Sequence, residues 1–539
     1  MAKIHGGRLI ARALRAESVD TLFTLTGGHI VPILDGCVEE GIRIVDVRHE
    51  ETAGHAAEAY TRLTGRLGVA AVTAAPGVTN LATAVMNAHL SCTPMLVLGG
   101  RHLIRQEHAG GLQELDHPPI FASITKLATT AWETARLADY IAIAARHAFS
   151  GRGGPVFLDV PLDVQSGLVD ENTPLPTGYR ATEPAGADPD TVDRIADLLA
   201  GADRPVIFAG GGLRGGGAEA LAAVAEMFDA PVFANSGGRG ALSPDHPLLG
   251  SLARSQALAR ADVVLALQVD WDFRTGYGRK IPAEATVVQV DPEPTKLGWN
   301  RPAPVAVVAN PGRVLAQIAK AGRSRPGGGW SDEIRAAEAA ARAEGESAAE
   351  SDAVPVAPQR FARDVAGFFG QDSIVAVDGG DIVATTARWL RVSTPGHLLE
   401  PGPAGTLGTG PGFALAAKVV HPERTVGIVF GDGGFGFNGF EYDTFVRHGL
   451  PVIGVLGNDG VWSNIKTFHR SFYPDRVVAS DLGRRPYHAV VAALGGYGEL
   501  VTDPAEIVPA LGRARASGLP ALVDVHIAET FRASSNYSG

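Results

Sequence analysis

Two oxygen-bearing side chains follow neighbouring apolar runs in the last quarter of the sequence. Asp432 comes directly after the run 425–430 and its glycine, and Asn458 follows the run 451–456. Both runs are short, apolar and bounded by turn residues, which predicts two parallel strands joined by a helix through Arg447. Because ligands bind at the carboxyl ends of such strands, the two side chains are expected to share one edge of a sheet.

This edge has the chemistry of a site for a hard cation and a diphosphate. The Asp432 carboxylate, the Asn458 amide and the Gly460 backbone carbonyl would leave coordination positions for phosphate oxygens, which is how Mg²⁺ is commonly held. A helix that starts at the turn would aim its positive end at the same anion. Three glycines of the turn would let backbone N–H groups approach a diphosphate: Gly431, Gly433 and Gly434.

The same stretch resembles a known fingerprint. GDG followed, after a helix and a strand, by NDG is similar to the thiamine diphosphate (ThDP) motif of the pyruvate-oxidase and acetohydroxyacid-synthase superfamily, and GFNGFEYDTFVRHGLPV continues the likeness. The resemblance implies that Val461 and Trp462 border the cofactor. It also implies that Leu407, in EPGPAGTLGTG, holds the cofactor in a bent shape, a role compatible with ordinary packing.

A second segment carries the same resemblance. VRHEETAGHAAEAYTRLTG is similar to the pyrimidine-binding domain of that superfamily, and its glutamate corresponds to Glu50. A buried carboxylic acid there would share a proton with N1′ of the aminopyrimidine and favour the 4′-imino form, which activates C2 of the thiazolium. The ordinary alternative is an acidic residue that favours a helix N-terminus, and this is the interpretation kept for Glu51.

Other residues are candidates by the same likeness. The cofactor contacts that it implies in the first third of the chain are Gly27, Gly28, Pro76 and Asn80. Three further side chains are interpreted as catalytic. His29 is expected near the substrate carbonyl, Gln113 in a loop at the entrance of the site, and Glu499 just before a strand. Their alternatives are a core histidine, a solvated loop glutamine and a carboxylate facing water.

The alternation of strands and helices predicts an α/β fold with three doubly wound parallel-sheet domains. We expect a pyrimidine-binding domain at 1–170, a central nucleotide-binding-like domain at 189–320 and a diphosphate- and Mg-binding domain at 358–539. The linkers between them are Pro-rich and Ala/Glu-rich, respectively. The polar C-terminal tail, which contains Ser534 and Tyr537, is a candidate lid over the site.

The central domain carries a glycine-rich turn, FAGGGLRGGGAE, that opens a helix. Arg152, Arg214 and Arg274 are predicted to bind phosphates, and Asp291, at a strand end, a ribose. In the superfamily this domain binds FAD in acetohydroxyacid synthases and ADP, or the ADP part of coenzyme A, in enzymes that act on acyl-CoA. ADP or coenzyme A is expected here, with FAD less favoured and a domain without a ligand as the alternative.

Composition restricts partners and compartment. The net charge of −11 over 539 residues disfavours nucleic acid as a partner. The two cysteines, Cys37 and Cys92, form no paired motif, which is typical of a reducing cytoplasmic setting. No apolar run approaches the roughly 20 residues that span a bilayer, so no membrane association is expected.

The resemblance implies a ThDP- and Mg-dependent carbon–carbon lyase or carboligase. After Asn458 the sequence DGVWSNIKTFHRSF lacks the Gln-Trp-rich segment usual in the synthases. The favoured hypothesis is therefore a 2-hydroxyacyl-CoA lyase, which reversibly cleaves its substrate to formyl-CoA and an aldehyde or ketone. The alternatives are oxalyl-CoA decarboxylase, an acetolactate synthase-like decarboxylase or carboligase of 2-oxo acids, and a non-catalytic binding protein.

The resemblance also implies a homodimer or homotetramer. In this superfamily the glutamate of one subunit meets the diphosphate site of another, so Glu50 and Asp432 of different chains would form one active site. Acyl-CoA and small carbonyl compounds are the expected substrates.

Overall fold

The computed structural model describes residues 2–529. The predicted lid residues Ser534 and Tyr537 lie outside this range. Within it, three six-stranded sheets follow one another along the chain, and every pairing inside them is parallel. Helices flank each sheet, which confirms the predicted α/β class with three doubly wound domains.

The first domain is built around one of these sheets. Its strands are β1 (Lys3–His5), β2 (Thr21–Leu25), β3 (Arg43–Asp46), β4 (Gly68–Val72), β5 (Met95–Arg101), β6 (Leu127–Thr130), β7 (Pro155–Pro161) and β8 (Leu168–Asp170). Its helices are α1 (Gly6–Ala16), α2 (Val31–Glu39), α3 (Glu50–Thr64), α4 (Pro76–Asn80), α5 (Ala82–Leu90), α6 (Pro118–Phe121), α7 (Leu137–Phe149) and α8 (Leu162–Ser166). The sheet order is β3-β2-β4-β5-β7-β6, and β1 pairs separately with β8 in antiparallel fashion.

The central domain repeats the pattern in fewer residues. Its strands are β9 (Pro205–Ala209), β10 (Val232–Ala234), β11 (Leu249–Gly250), β12 (Val263–Leu267), β13 (Thr286–Asp291) and β14 (Val305–Val308), in the order β11-β10-β9-β12-β13-β14. Its helices are α9 (Pro189–Ala200), α10 (Ala218–Met227), α11 (Arg254–Leu258) and α12 (Pro311–Lys320). The second linker contains helix α13 (Trp330–Ala349), which is exposed on most sides but buries Trp330 and Ile334.

The third domain contains both strands that the sequence placed at the cation edge. Its strands are β15 (Ile374–Asp378), β16 (Leu398–Leu399), β17 (Val426–Gly431), β18 (Val452–Asn458), β19 (Tyr497–Val501) and β20 (Ala521–His526), in the order β16-β15-β17-β18-β20-β19. Its helices are α14 (Pro358–Phe369), α15 (Asp381–Ala387), α16 (Thr409–Val420), α17 (Asp432–Asn438), α18 (Tyr442–Arg447), α19 (Ser463–Phe472), α20 (Tyr487–Ala493) and α21 (Ile507–Ser517).

The single helix predicted between β17 and β18 is wrong in detail. A 3-10 turn at Gly439–Glu441 separates α17 from α18. Glycines at 436 and 439 weaken an α-helix, and the turn aims Glu441 at the first domain. The Glu441 carboxylate accepts the backbone N–H groups of Arg48 and His49 at 3.0 Å each.

Helices α3 and α16 join the first and third domains. They pack over most of their length, and one cluster of fully buried apolar side chains spans both sheets. The His55 ring of α3 meets the Phe413 ring of α16 edge-on at 5.6 Å. Glu50, the first residue of α3, is therefore positioned by contacts with the third domain of its own chain. No helix within residues 2–529 is long and apolar enough to cross a bilayer.

Candidate functional site

Asp432 and Asn458 lie side by side at the carboxyl edge of the third sheet. Gly431 of β17 is in register with Gly457 of β18. The residues that follow them, Asp432 and Asn458, therefore lie at the same level along the sheet. Both side chains are buried, with 3% and 0% of their surface exposed. The expected juxtaposition of a carboxylate and an amide is thus present in the fold.

The Asp432 carboxylate is held by backbone donors. Oδ1 accepts from Gly433 N–H and Oδ2 from Gly460 N–H, both at 2.9 Å. Burial, and secondly the nearby Asp459 carboxylate, raise the pKa of Asp432 to about 7. A carboxylate that ionises reluctantly without a cation is suited to bind one, because the cation supplies the missing positive charge.

The Asn458 amide offers an oxygen to the same place. Its Nδ2 donates to Asp524 Oδ1 at 3.0 Å and to the Arg485 carbonyl at 3.2 Å. Its Oδ1 is buried and has no hydrogen-bond partner among the described residues. Buried polar atoms are rarely left unpaired, so this oxygen fits a metal ion as its missing partner.

Gly460 is less suited to act as a metal ligand. Its carbonyl oxygen accepts backbone N–H groups from Leu482 and Gly483, both at 2.8 Å. A cation would have to displace these donors. Val461 forms an isolated bridge with Asp481, so the residues after β18 are tied to the loop that precedes α20.

Trp462 lies against the glycine turn at 431–434. A Cβ atom added to Gly433 would meet the Trp462 ring at 2.1 Å, whereas Gly431 has more space around it. The Trp462 ring also faces Phe437 edge-on at 6.5 Å. Gly434 packs on Asp378, the last residue of β15, at 2.8 Å from an ideal Cβ.

Asp378 positions Leu407, and the sequence did not single it out as a site residue. It is fully buried, and its two oxygens accept N–H groups from Gly408 and Gly410 at 3.0 and 2.9 Å. These donors open α16, and Leu407 immediately precedes them. Burial raises the pKa of Asp378 to about 6.

Glu50 lies at the N-terminus of α3, after the carboxyl end of β3. It is 7% exposed, and its Oε2 accepts from Asn80 Nδ2 at 3.0 Å. An ideal Cβ on Gly77 would lie 3.4 Å from Glu50 Oε1. The structure therefore brings Glu50 together with α4, where Pro76 and Asn80 were predicted to contact the cofactor.

Thr73 connects the other candidates of the first domain, and sequence reasoning missed it. Its Oγ1 lies 3.2 Å from His29 Nδ1, and its side chain packs against Gly27. Burial lowers the pKa of His29, which favours the neutral ring. Gly28 faces open space, and Gln113 sits at a positive φ of 57° in a partly exposed loop.

A buried charged cluster supports the turn before α4. Ala75 adopts φ 47° and ψ −98°, and its N–H donates to His117 Nε2 at 2.9 Å. His117 Nδ1 lies 2.9 Å from Asp159, whose other oxygen accepts from Arg101 at 2.7 Å. The signal that could have revealed this cluster is Asp159 itself, a carboxylate inside the apolar run VFLDVP.

The structure places Glu499 away from this edge. It lies inside β19 rather than before it, in register with Val523 and below the level of Asn458. Its carboxylate pairs with Arg513 at 2.6 Å, which holds the pKa of Glu499 below its usual range. A carboxylate so paired is ill suited to carry a proton at neutral pH.

A cleft between the domains gathers the predicted phosphate ligands. It encloses about 640 Å³ open to solvent and is lined by arginines from the first and central domains: Arg62, Arg152, Arg214 and Arg274. Gly211, Asn235 and Gln268 of the central sheet edge complete one wall.

Three of the four predicted ligands of the central site are engaged within the protein. Arg152 Nε donates to Asp291 Oδ1 at 2.8 Å, and Asp291 is fully buried, so this carboxylate is not available to a ribose as predicted. The physical reason is that Arg152, from the first domain, neutralises it. Arg274 pairs with Asp272 at 2.6 Å.

Arg214 is the predicted phosphate ligand without a carboxylate at ion-pair distance among residues 2–529. Its Nη2 donates to the Ser91 carbonyl at 3.2 Å, and burial lowers its pKa to about 10. At neutral pH it remains a half-buried cation that faces the cleft.

Comparison with known proteins gives three family matches in chain order. Residues 4–120 match the N-terminal TPP binding domain of thiamine pyrophosphate enzymes, residues 192–318 match their central domain, and residues 378–525 match their C-terminal TPP binding domain. These matches place both Glu50 and the Asp432 edge in cofactor-binding domains.

Relatives that match over most of the chain are named for two different activities. The chain is 41% identical over 529 residues to "Probable acetolactate synthase" of Mycobacterium bovis and to "Acetolactate synthase large subunit IlvG" of Mycobacterium tuberculosis, covering 97% of this chain and 95% of theirs. It is 35% identical over 578 residues to human "2-hydroxyacyl-CoA lyase 2", covering 98% of this chain and 90% of the relative. The chain therefore belongs to the thiamine pyrophosphate enzyme family, as its two motifs implied.

Proposed function

We propose that the protein is a ThDP- and Mg²⁺-dependent lyase that reversibly cleaves a 2-hydroxyacyl-CoA to formyl-CoA and an aldehyde or ketone. The observation that carries the proposal is the arginine-lined cleft, in which Arg214 is a half-buried cation without a carboxylate at ion-pair distance among residues 2–529. The ADP part of an acyl-CoA would supply the missing negative charge. The lyase relatives are consistent with such a substrate.

The residues at the two sheet edges have separate tasks in this proposal. ThDP supplies a thiazolium that stabilises the carbanion formed when a carbon–carbon bond breaks. Asp432 and Asn458 would hold Mg²⁺ against the diphosphate, and Glu50 would share a proton with N1′ of the pyrimidine. His29, neutral and buried beside Thr73, would face the substrate carbonyl.

A second candidate is an acetolactate synthase-like carboligase that acts on 2-oxo acids. The 41% identity to proteins named acetolactate synthase favours it. In that case the cleft would hold FAD, and the purified protein would be yellow. A colourless protein that binds ADP would support the acyl-CoA proposal.

The assembly belongs to the same proposal. We expect a cytoplasmic homodimer or homotetramer in which Glu50 of one subunit meets the Asp432 edge of another. Two phenylalanines of the GFGFNGF segment, Phe437 and Phe440, are 57% and 68% exposed in the single chain and would be covered by the second subunit.

Parallel assays with the two classes of substrate separate the two functions. The enzyme with ThDP and Mg²⁺ is incubated with a branched or aromatic 2-hydroxyacyl-CoA, and formyl-CoA is followed by liquid chromatography. A parallel incubation with pyruvate is assayed for acetolactate. Formation of formyl-CoA supports the proposal, whereas brisk pyruvate consumption without formyl-CoA would refute it in favour of the synthase.

A variant of Glu50 tests whether the chain is a catalyst at all. Glu50→Gln should retain ThDP binding, because the amide still meets Asn80, but should lose about 100-fold or more in kcat. Glu51→Gln is the matched control, since Glu51 faces His55 instead, and should keep most of the activity. Equal turnover by Glu50→Gln and the wild type would contradict the role of Glu50.

A further inference from the structure

The orientation of the Asn458 amide is fixed by its surroundings. Nδ2 points at two acceptors, the Asp524 carboxylate at 3.0 Å and the Arg485 carbonyl at 3.2 Å. Rotating the amide by 180° would place Oδ1 against both of these oxygens and leave Nδ2 without a partner. The two acceptors therefore fix the amide so that Oδ1, and not the nitrogen, points away from Asp524 and Arg485.

Asp524 is itself held in place. It lies in the middle of the last buried strand, β20, in register with Leu456 of β18, and none of its surface is exposed. Its second oxygen, Oδ2, lies 3.1 Å from His488 Nδ1 on α20. His488, Asp524 and Asn458 form a hydrogen-bonded chain that ends at the unpartnered Oδ1.

We propose that Asp524 and His488 are positioning residues for the metal ligand Asn458. They hold the Oδ1 lone pairs toward the cation and would not touch the cation themselves. This inference rests on the Mg²⁺ site of the proposed function. Residues that do not touch the metal but orient one of its ligands typically contribute 10- to 100-fold to metal affinity.

Asp524→Asn is the most direct test, because it keeps the volume but offers an amide that can donate as well as accept. Asn458 could then rotate and turn its nitrogen toward the cation. We expect about 10- to 100-fold weaker Mn²⁺ binding, measured with ThDP by electron paramagnetic resonance of free Mn²⁺. This readout does not depend on turnover.

A double variant distinguishes positioning from general damage. In Asn458→Asp with Asp524→Asn, the amide at 524 donates to the carboxylate at 458, which keeps one oxygen for the cation. Mn²⁺ affinity should recover in part, because the Arg485 carbonyl still faces a carboxylate oxygen at position 458. Asn458→Asp alone sets two carboxylates against each other and should not bind as well as the double variant.

His488→Phe carries the test if Asp524→Asn does not fold. It leaves Asp524 in place without its second partner, and we expect several-fold weaker Mn²⁺ binding with an unchanged circular dichroism spectrum. Wild-type affinity in His488→Phe and in every folded variant at 524 would overturn the inference while leaving the metal site intact. Absence of Mn²⁺ binding by the wild type would refute the metal site and this inference together.

Discussion

Replacing His117 by phenylalanine should loosen the turn that positions α4 beneath Glu50. Ala75 occupies a strained conformation with φ 47° and ψ −98°, which costs on the order of 1–3 kcal/mol for a residue other than glycine. Its N–H donates to His117 Nε2 at 2.9 Å. The nearby Asp159 carboxylate implies that the His117 proton is on Nδ1.

The loss in free energy of unfolding can be estimated from the two hydrogen bonds that the substitution removes. Phenylalanine retains a ring against Phe157, whose centroid lies 6.3 Å from that of His117. It leaves the Ala75 N–H and Asp159 Oδ1 without their partner. Each such loss at a buried group costs about 1–3 kcal/mol, so we expect a total of roughly 2–6 kcal/mol.

The effect should reach the cofactor as well as stability. Gly77 and Asn80 of α4 adjoin the Glu50 carboxylate, so relaxation at Ala75 should shift the Asn80 amide away from it. We therefore expect His117→Phe to need more ThDP for half-maximal activity, beyond its lower midpoint of urea unfolding. Ala75→Gly added to this variant should recover part of the stability, because glycine tolerates the conformation.

His117→Gln is the matched control, since its amide offers one donor and one acceptor. It should lie between the wild type and His117→Phe in both measurements. The reasoning fails if His117→Phe unfolds at the same urea concentration as the wild type and requires no more ThDP.

Two further predictions concern buried charges. Burial raises the pKa of Asp378 from 3.8 to about 6. This difference contributes up to about 3 kcal/mol to the free energy of unfolding below pH 4, and the contribution is lost as the pH rises through 6. The unfolding midpoint of the wild type should therefore fall relative to that of Asp378→Asn between pH 4 and 7, and a constant difference between the two midpoints would contradict this. Arg214→Met should weaken ADP binding at least tenfold in calorimetry and stabilise the ADP-free protein, whereas Arg274→Met, which removes an arginine paired with Asp272, should change ADP affinity less.

The fold class was predictable because central parallel strands are buried on both faces and form continuous apolar runs. The strand 21–25 shows this directly, with four of its five residues buried. Edge strands are harder to recognise. In β14, at the edge of the central sheet, the sequence VAVV is apolar throughout, yet burial alternates because one face of the strand is exposed, so an apolar run alone does not tell an edge strand from a central one. The strands β11 and β16 are two residues long, which is too short to show a pattern.

The juxtaposition of Asp432 and Asn458 was predictable, because both follow parallel strands that end at the same edge of the sheet. The site was not predictable where a side chain is satisfied by a distant one. Asp291 also stands at a strand end, but Arg152 reaches it from another domain. Asp159 and Asp524 share a different signal, a carboxylate inside an apolar strand, which is costly to bury unless it is paired and therefore indicates a buried partner.

The structure also bears on where substrate choice should be sought. The residues after Asn458 distinguish this chain from the synthases in sequence, but Trp462 of that segment packs on Gly433, and its backbone N–H donates to the Ser480 carbonyl at 2.8 Å. Substitutions there will disturb the diphosphate turn and the cation edge together. A change in substrate preference would then be inseparable from a change in cofactor binding. Arg214 belongs to the central domain and the Asp432 edge to the third, so variants of Arg214 can report on substrate recognition while cofactor affinity is measured independently.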